Sequence, residues 1–92
     1  MKENTRTEIE LSADPLVAIF HTNREVSDER EVYPTRAAAL DGTPLAALLI
    51  EIAGVVALEL KGNDITLTRD PSATWDDIAL QVIEAVKDFF LL

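Results

Sequence analysis

The sequence predicts an α+β fold, a two-layer sandwich in which two helices cover one face of a mostly antiparallel sheet. Segments of alternating polar and apolar residues occur in pairs, each pair is followed by a segment with apolar residues at helical spacing, and glycine or proline marks the boundaries. The resulting order, β-β-α-β-β-α, is typical of helices packed on one sheet face. A length of 92 residues is enough for one domain, residues 1–92.

The first strand pair is predicted near the N-terminus. Thr7–Leu11 alternates, so Ile9 and Leu11 are expected to face the core, and Leu16–Phe20 is a short β-rich run beyond a turn. The segment His21–Glu31 that follows is crowded with charge and is expected to form an exposed loop.

The first helix is predicted beyond this loop. The intervening residues allow a short edge strand at Glu31–Tyr33 and a helical turn within Thr35–Gly42. The hydroxyl of Thr43 can cap a helix that starts at Pro44, and Gly54 is expected to end it in the left-handed conformation. The apolar stripe of this helix comprises Leu45, Leu48, Leu49 and Ile52.

The second strand pair is predicted on either side of a tight turn at Lys61–Asp64, whose residues tolerate positive φ. Val55–Leu60 and Ile65–Arg69 both alternate with period two. The residues expected to face the core are Val56, Leu58, Leu60, Ile65 and Leu67.

The C-terminal helix is apolar on more than one side. Thr74 and Asp77 form a capping-box pattern at its start. The main stripe comprises Ile78, Val82, Val86 and Phe89, and a second side comprises Leu80, Ile83 and Phe90. The second side either fills a seam against the first helix or, with Phe90, Leu91 and Leu92, forms an exposed patch for a partner or for self-association.

Composition narrows the classes of partner. Seventeen acidic residues against eight basic ones give a formal net charge of −9, which disfavours nucleic acid and anionic membranes. The sequence has no cysteine, so this chain cannot hold an iron–sulfur cluster by thiolates. With no signal peptide and no long apolar run, we expect a cytoplasmic protein.

No group of residues predicts catalysis, a resident metal or a cofactor. His21 is the only histidine and is interpreted as a surface residue without partners. The acids Glu25, Asp28, Glu29 and Glu31 are interpreted as a hydrated, charged contact loop, because they lack the spacing of a calcium-binding loop.

The second half of the chain resembles the N-terminal domain of the NifU-like (Nfu) iron–sulfur cluster scaffold proteins. Four motifs carry the resemblance in order: TPL at residues 43–45, IAGV at 52–55, GNDIT at 62–66, and a helix that runs from Trp75 to the pair Phe89 and Phe90. The first half departs from the family pattern. It keeps Pro15 and Phe20 of the N-terminal motif, whereas other positions of that motif differ.

The resemblance implies an accessory domain, because full Nfu proteins hold the cluster with a Cys-x-x-Cys motif in a second domain. The leading hypothesis is a non-enzymatic interaction module that contacts a scaffold, a carrier or an apo target of iron–sulfur cluster assembly. The alternative is a weak iron or small-ligand binding protein that uses surface carboxylates.

Overall fold

The computed structural model describes residues 4–91. In chain order its elements are β1 (Thr7–Leu11), β2 (Val17–Thr22), β3 (Ser27–Tyr33), α1 (Arg36–Leu40), α2 (Pro44–Ile50), β4 (Val55–Gly62), β5 (Asp64–Arg69) and α3 (Trp75–Phe89). The strands form one five-stranded sheet in the order β1-β2-β5-β4-β3, and every neighbouring pair is antiparallel. The predicted α+β class is confirmed, with one strand and one short helix more than expected.

The extra strand β3 corrects the prediction of a long exposed loop after β2. Residues 27–33 pair with β4 at the edge of the sheet, and the register shifts between Ser27 and Glu31. Dense charge is compatible with a strand at this position, because an edge strand is partly solvated and charge there discourages pairing with other chains. The extra helix α1 is only five residues long and is capped by Thr35, whose hydroxyl accepts a hydrogen bond from the Ala38 N–H.

The core lies between the helices and one face of the sheet. Strand residues opposite one another across this face, such as Phe20, Ile65 and Leu60, are fully buried. They belong to one apolar cluster with the buried residues of α2 and α3, namely Leu45, Ala46, Leu49, Ile50, Ile78, Val82 and Val86. We call this side of the sheet the covered face and the other side the open face.

Helix α2 ends at Ile50, earlier than predicted, whereas the predicted left-handed conformation is confirmed at Gly54. Its φ is +96°, in the region that glycine tolerates best. A Cβ at this position would lie 2.6 Å from the Cβ of Ala73, so the close approach of the chain before α3 also requires glycine.

Several predicted core positions are wrong in detail. Ile9 and Leu11 lie on the covered face, opposite Phe20 and Ala18, but β1 is an edge strand and Leu11 remains 66% exposed. Val56 is exposed and Val55 is buried, because the register between β4 and β5 shifts at this point. Leu48 and Phe89 are also exposed.

Candidate functional site

The most exposed apolar side chains in this region lie in the first half of α3 and just after its C-terminal end. Leu80 is 70% exposed and Leu91 is 64% exposed, so Leu80 does not fill a seam with the first helix. Phe90 is half-buried, packs against the core, and meets Phe89 edge-on with ring centroids 5.1 Å apart. Of the predicted patch, Leu91 is exposed and Phe90 is part of the fold, whereas Leu92 lies outside the described residues.

A groove runs between the N-terminal part of β1 and the C-terminal half of α3. Its volume is about 570 Å³. Residues 4–8 and Arg24 line one side, and Ile83, Lys87, Phe90 and Leu91 line the other. Phe90 and Leu91 of the predicted patch therefore belong to one wall of this groove, which we call the β1–α3 groove.

The β1–α3 groove has a charge opposite to that of the whole chain. Among the residues that the structure describes, Arg6, Arg24 and Lys87 line it against a single carboxylate, Glu8. The Nε of Arg24 donates a hydrogen bond to Thr5 Oγ1 at 3.0 Å, which holds this guanidinium beside the segment before β1. The segment itself is tied to the β2–β3 connection, because the Arg6 N–H donates to Asn23 Oδ1 at 2.8 Å.

The four acids predicted to form a contact loop have different environments. Glu25 lies in the β2–β3 connection, and Asp28 and Glu29 are exposed on β3. Glu31 lies in the strand opposite Leu60, so it is on the covered side of the sheet. The acids therefore lie mostly on an edge strand and do not form one loop.

Glu31 is bound by hydroxyl groups. The hydroxyls of Tyr33, Ser27 and Thr43 lie 2.5, 2.6 and 3.0 Å from its carboxylate oxygens. Partial burial raises the pKa of Glu31, but the hydrogen bonds from Ser27, Tyr33 and Thr43 outweigh burial, and the pKa is lowered. Because Thr43 precedes α2, the carboxylate joins β3 to the start of that helix.

His21 has two partners that the sequence pattern did not indicate. On the open face its Nε2 lies 2.6 Å from Glu10 Oε1 and its Nδ1 lies 2.7 Å from Asp64 Oδ1. These hydrogen bonds, Glu10 first and Asp64 second, raise the pKa of His21 above 6.5. The imidazole links β1, β2 and β5. His21 lies on the surface as predicted, but it has two partners there.

Within residues 4–91, no three histidine, aspartate or glutamate side chains are placed to hold a metal ion together. The cluster around His21 is consistent with this finding, because both ring nitrogens are already directed at carboxylates. No helix in the described part of the chain is long and apolar enough to cross a membrane.

Trp75 has a structural role at the start of α3. Its Nε1 donates to the carbonyl oxygen of Pro15 at 3.0 Å, and its ring lies 6.0 Å from that of Phe20. Arg69 donates to the same carbonyl at 3.2 Å and to the carbonyl of Ala73 at 2.8 Å. This arrangement ties the β1–β2 turn to the segment between β5 and α3.

Two solved structures share the fold. The crystal structure of protein SAV1430 from Staphylococcus aureus superposes with a TM-score of 0.70 at 10% identity, covering 86% of this chain and 94% of that one. The solution structure of a NifU-like protein from Saccharomyces cerevisiae gives a TM-score of 0.75 at 13% identity, covering 90% of this chain and 76% of that one. At these identities the likeness establishes the fold alone.

Comparison of the sequence with known families identifies the family of the chain. A search of curated proteins gives no match to the chain. The family model described as "Scaffold protein Nfu/NifU N terminal" matches residues 7–91, which include every helix and strand of the structure. The match extends through the first half, where the N-terminal motif departs from the family pattern. The chain therefore belongs to the Nfu/NifU N-terminal family, which is associated with iron–sulfur cluster assembly.

Proposed function

We propose that the chain is a non-enzymatic module that serves iron–sulfur cluster assembly by binding another protein. The observation that carries the proposal is a family match over residues 7–91 in a sequence without a single cysteine. Clusters are held by Cys thiolates, so the cluster would be carried by the partner. The partner would be a scaffold, a carrier or an apo target.

Exposed apolar side chains on α3 and just after it support a role in protein contact. Leu80, Ile83 and Leu91 present apolar surface beyond what the core uses, and exposed apolar patches of this kind mark interaction sites. The alternative of an iron site built from Glu25, Asp28, Glu29 and Glu31 gains no support, because Glu31 already binds three hydroxyls and no three acids within residues 4–91 are grouped to hold a metal ion.

The test is binding to the cysteine-bearing assembly proteins of the same organism. Isotope-labelled chain would be titrated with each purified protein, in apo and cluster-loaded form, and backbone shifts followed by NMR. We expect saturable shifts with at least one of them. The absence of binding to all of them would contradict the proposal.

A matched pair of variants locates the contact. Leu91→Ser removes an exposed leucine at the proposed surface, and Leu11→Ser removes one of nearly equal exposure at the far end of β1. We expect only the first to weaken binding. In parallel, reconstitution of the chain alone with iron and sulfide should yield no visible charge-transfer band after desalting, because thiolate ligands are absent.

A further inference from the structure

The β1–α3 groove has a strand edge as one wall. In the sheet order β1-β2-β5-β4-β3, strand β1 has a neighbour on one side only. Alternate residues of an edge strand direct their N–H and C=O groups away from the sheet, where another strand can pair with them. Residues 4–8, which line the groove, include the first two residues of β1.

The charges of the groove select an acidic occupant. Three of the eight basic residues of the chain line it, although the chain as a whole carries −9. Within residues 4–91, neither Arg6 nor Lys87 has an ion-pair partner, so both cations remain available to a ligand. Glu8 is the one carboxylate among the described residues of the lining, and it lies opposite His21, on the open face of the sheet.

The apolar residues of the groove select a bulky side chain. Ile83 and Leu91 are exposed, and Phe90 is half-buried beside them. Their surface is contiguous with the cations, so an apolar group bound there would be flanked by positive charge. A small anion would leave this surface in water, whereas a peptide with alternating side chains can satisfy both features.

We propose that the β1–α3 groove binds an extended segment of a partner protein in which acidic residues flank a bulky apolar residue, with the segment adding to the free edge of β1. Main-chain hydrogen bonds to β1 would supply affinity, and Arg6, Lys87 and the apolar wall would supply specificity. This inference rests on the proposed function and states the chemistry of the segment that the partner would present.

A capped synthetic peptide of ten residues, with glutamate alternating with leucine and valine, is the probe. Binding would be measured by calorimetry, with NMR shifts to locate it. We expect shifts at residues 4–8 and along the second half of α3, and affinity that falls as salt is raised. Two control peptides complete the set: one has lysine for glutamate, and the other has N-methyl groups on alternate backbone amides. Both should bind at least about tenfold more weakly.

Two variants and two matched controls test the groove itself. Lys87→Glu and Ile83→Ser alter its lining, whereas Lys61→Glu and Leu48→Ser make comparable changes at exposed positions outside it. We expect about tenfold weaker peptide binding for the first pair and unchanged binding for the second. Each variant would first be shown to retain the parent NMR spectrum away from the substitution.

Three results would overturn the proposal. One is equal binding of the acidic and lysine peptides. Another is tight binding of the N-methylated peptide, because it would show that main-chain hydrogen bonds to β1 are not needed. The third is displacement of the peptide by millimolar citrate or phosphate with the same shifts, which would indicate a small-anion site. If an assembly protein binds but the peptide does not, this inference fails and the proposed function stands. If the peptide binds and no assembly protein does, the proposed function fails.

Discussion

The covered and open faces of the sheet are built from the same strands but are stabilised in different ways. On the covered face, buried apolar residues such as Phe20, Ile65 and Leu67 pack against α2 and α3. On the open face, the contacts are polar and exposed, and they include the hydrogen bonds of His21 and the ion pair of Arg30 with Glu59. We expect substitutions to have large effects on the covered face and small ones on the open face, because exposed ion pairs contribute about 0–1 kcal/mol.

The largest loss of stability is expected at Gly54, which lies between α2 and β4 and close to Ile78 of α3. Gly54→Val would place a β-branched residue at φ +96° and a Cβ 2.6 Å from that of Ala73. Left-handed strain and overpacking together should lower the free energy of unfolding by about 2 kcal/mol or more. Chemical denaturation measures the loss.

The control is Gly62→Ala in the β4–β5 turn. Gly62 also has a positive φ, of +60°, but no atom within 4 Å of a Cβ built there. Only the backbone term applies, so we expect a loss of about 1 kcal/mol. Equal losses for the two variants would show that the contact with Ala73 has no part in the requirement for glycine.

The second largest loss of stability is expected at Glu31, whose carboxylate joins β3 to the start of α2. Glu31→Gln removes the charge that the hydroxyls of Tyr33, Ser27 and Thr43 stabilise. We expect the free energy of unfolding to fall by about 1–2 kcal/mol. The matched control is Glu29→Gln, an exposed acid on the same strand, which should change stability by less than about 0.5 kcal/mol.

The stability difference between the parent and Glu31→Gln should depend on pH in a definite direction. The folded pKa of Glu31 is lowered, so its contribution is present above the unfolded pKa and is lost as pH falls through the folded one. The stability difference between the parent and Glu31→Gln should therefore shrink in acid. A difference that stays constant down to about pH 3 would contradict a role for the charge.

The third substitution, Thr7→Val, is expected to increase stability. Thr7 Oγ1 is buried on the covered side of β1 and has no hydrogen-bond partner within residues 4–91. Thr7→Val keeps the shape and removes the unsatisfied hydroxyl, so we expect thermal unfolding to report a gain of about 1 kcal/mol. Thr66→Val on the open face controls for the higher strand propensity of valine. A loss of stability for Thr7→Val alone would mean that the hydroxyl is hydrogen-bonded in solution.

Periodicity predicted the covered face because burial there repeats with the geometry of each element. The stripe Ile78, Val82 and Val86 and the alternation of Ile65 with Leu67 are local signals, and the structure buries all of them. The cap at Thr74 and the exit at Gly54 were also predicted from neighbouring residues. The predicted burial of edge positions such as Leu11 was wrong. An alternating pattern shows on which face of the sheet a residue lies, but it does not show whether a helix covers that residue.

The candidate site was predicted only in part, since its parts are far apart in sequence. Exposure of Leu91 belonged to one of the two alternatives that the sequence left open, and in the structure Leu91 is exposed. The groove, however, brings Lys87 beside Arg6 and Arg24, and that proximity depends on β1 lying at the sheet edge under α3. Of strand β3, only Glu31–Tyr33 was foreseen as a possible edge strand. The charged residues before Glu31 carry no alternation, and only pairing with β4 makes them part of a strand.

The smallest effect is expected on the open face, at His21. Its partners are 11 and 43 residues away in sequence, on β1 and β5. The charged groups around it are Glu10, Asp64, Glu8 directly opposite on β1, and Lys61 opposite Asp64. Among the described residues the carboxylates outnumber the cation, so the protonated imidazole is the form that this face stabilises.

The folded pKa of His21 is raised, with the hydrogen bond to Glu10 as the first cause and that to Asp64 as the second. Its contribution to stability is therefore complete below the unfolded pKa of about 6.5 and is lost as pH rises through the higher folded value. Melting temperatures of the parent and of His21→Gln, measured from about pH 6 to pH 9, should converge as pH rises. The comparison cancels the titration of the α-amino group, which is common to both proteins. An NMR titration that gives His21 a pKa at or below 6.5 would show that the two carboxylates do not hold the ring in solution, and the open face would then contribute no pH-dependent link between β1, β2 and β5.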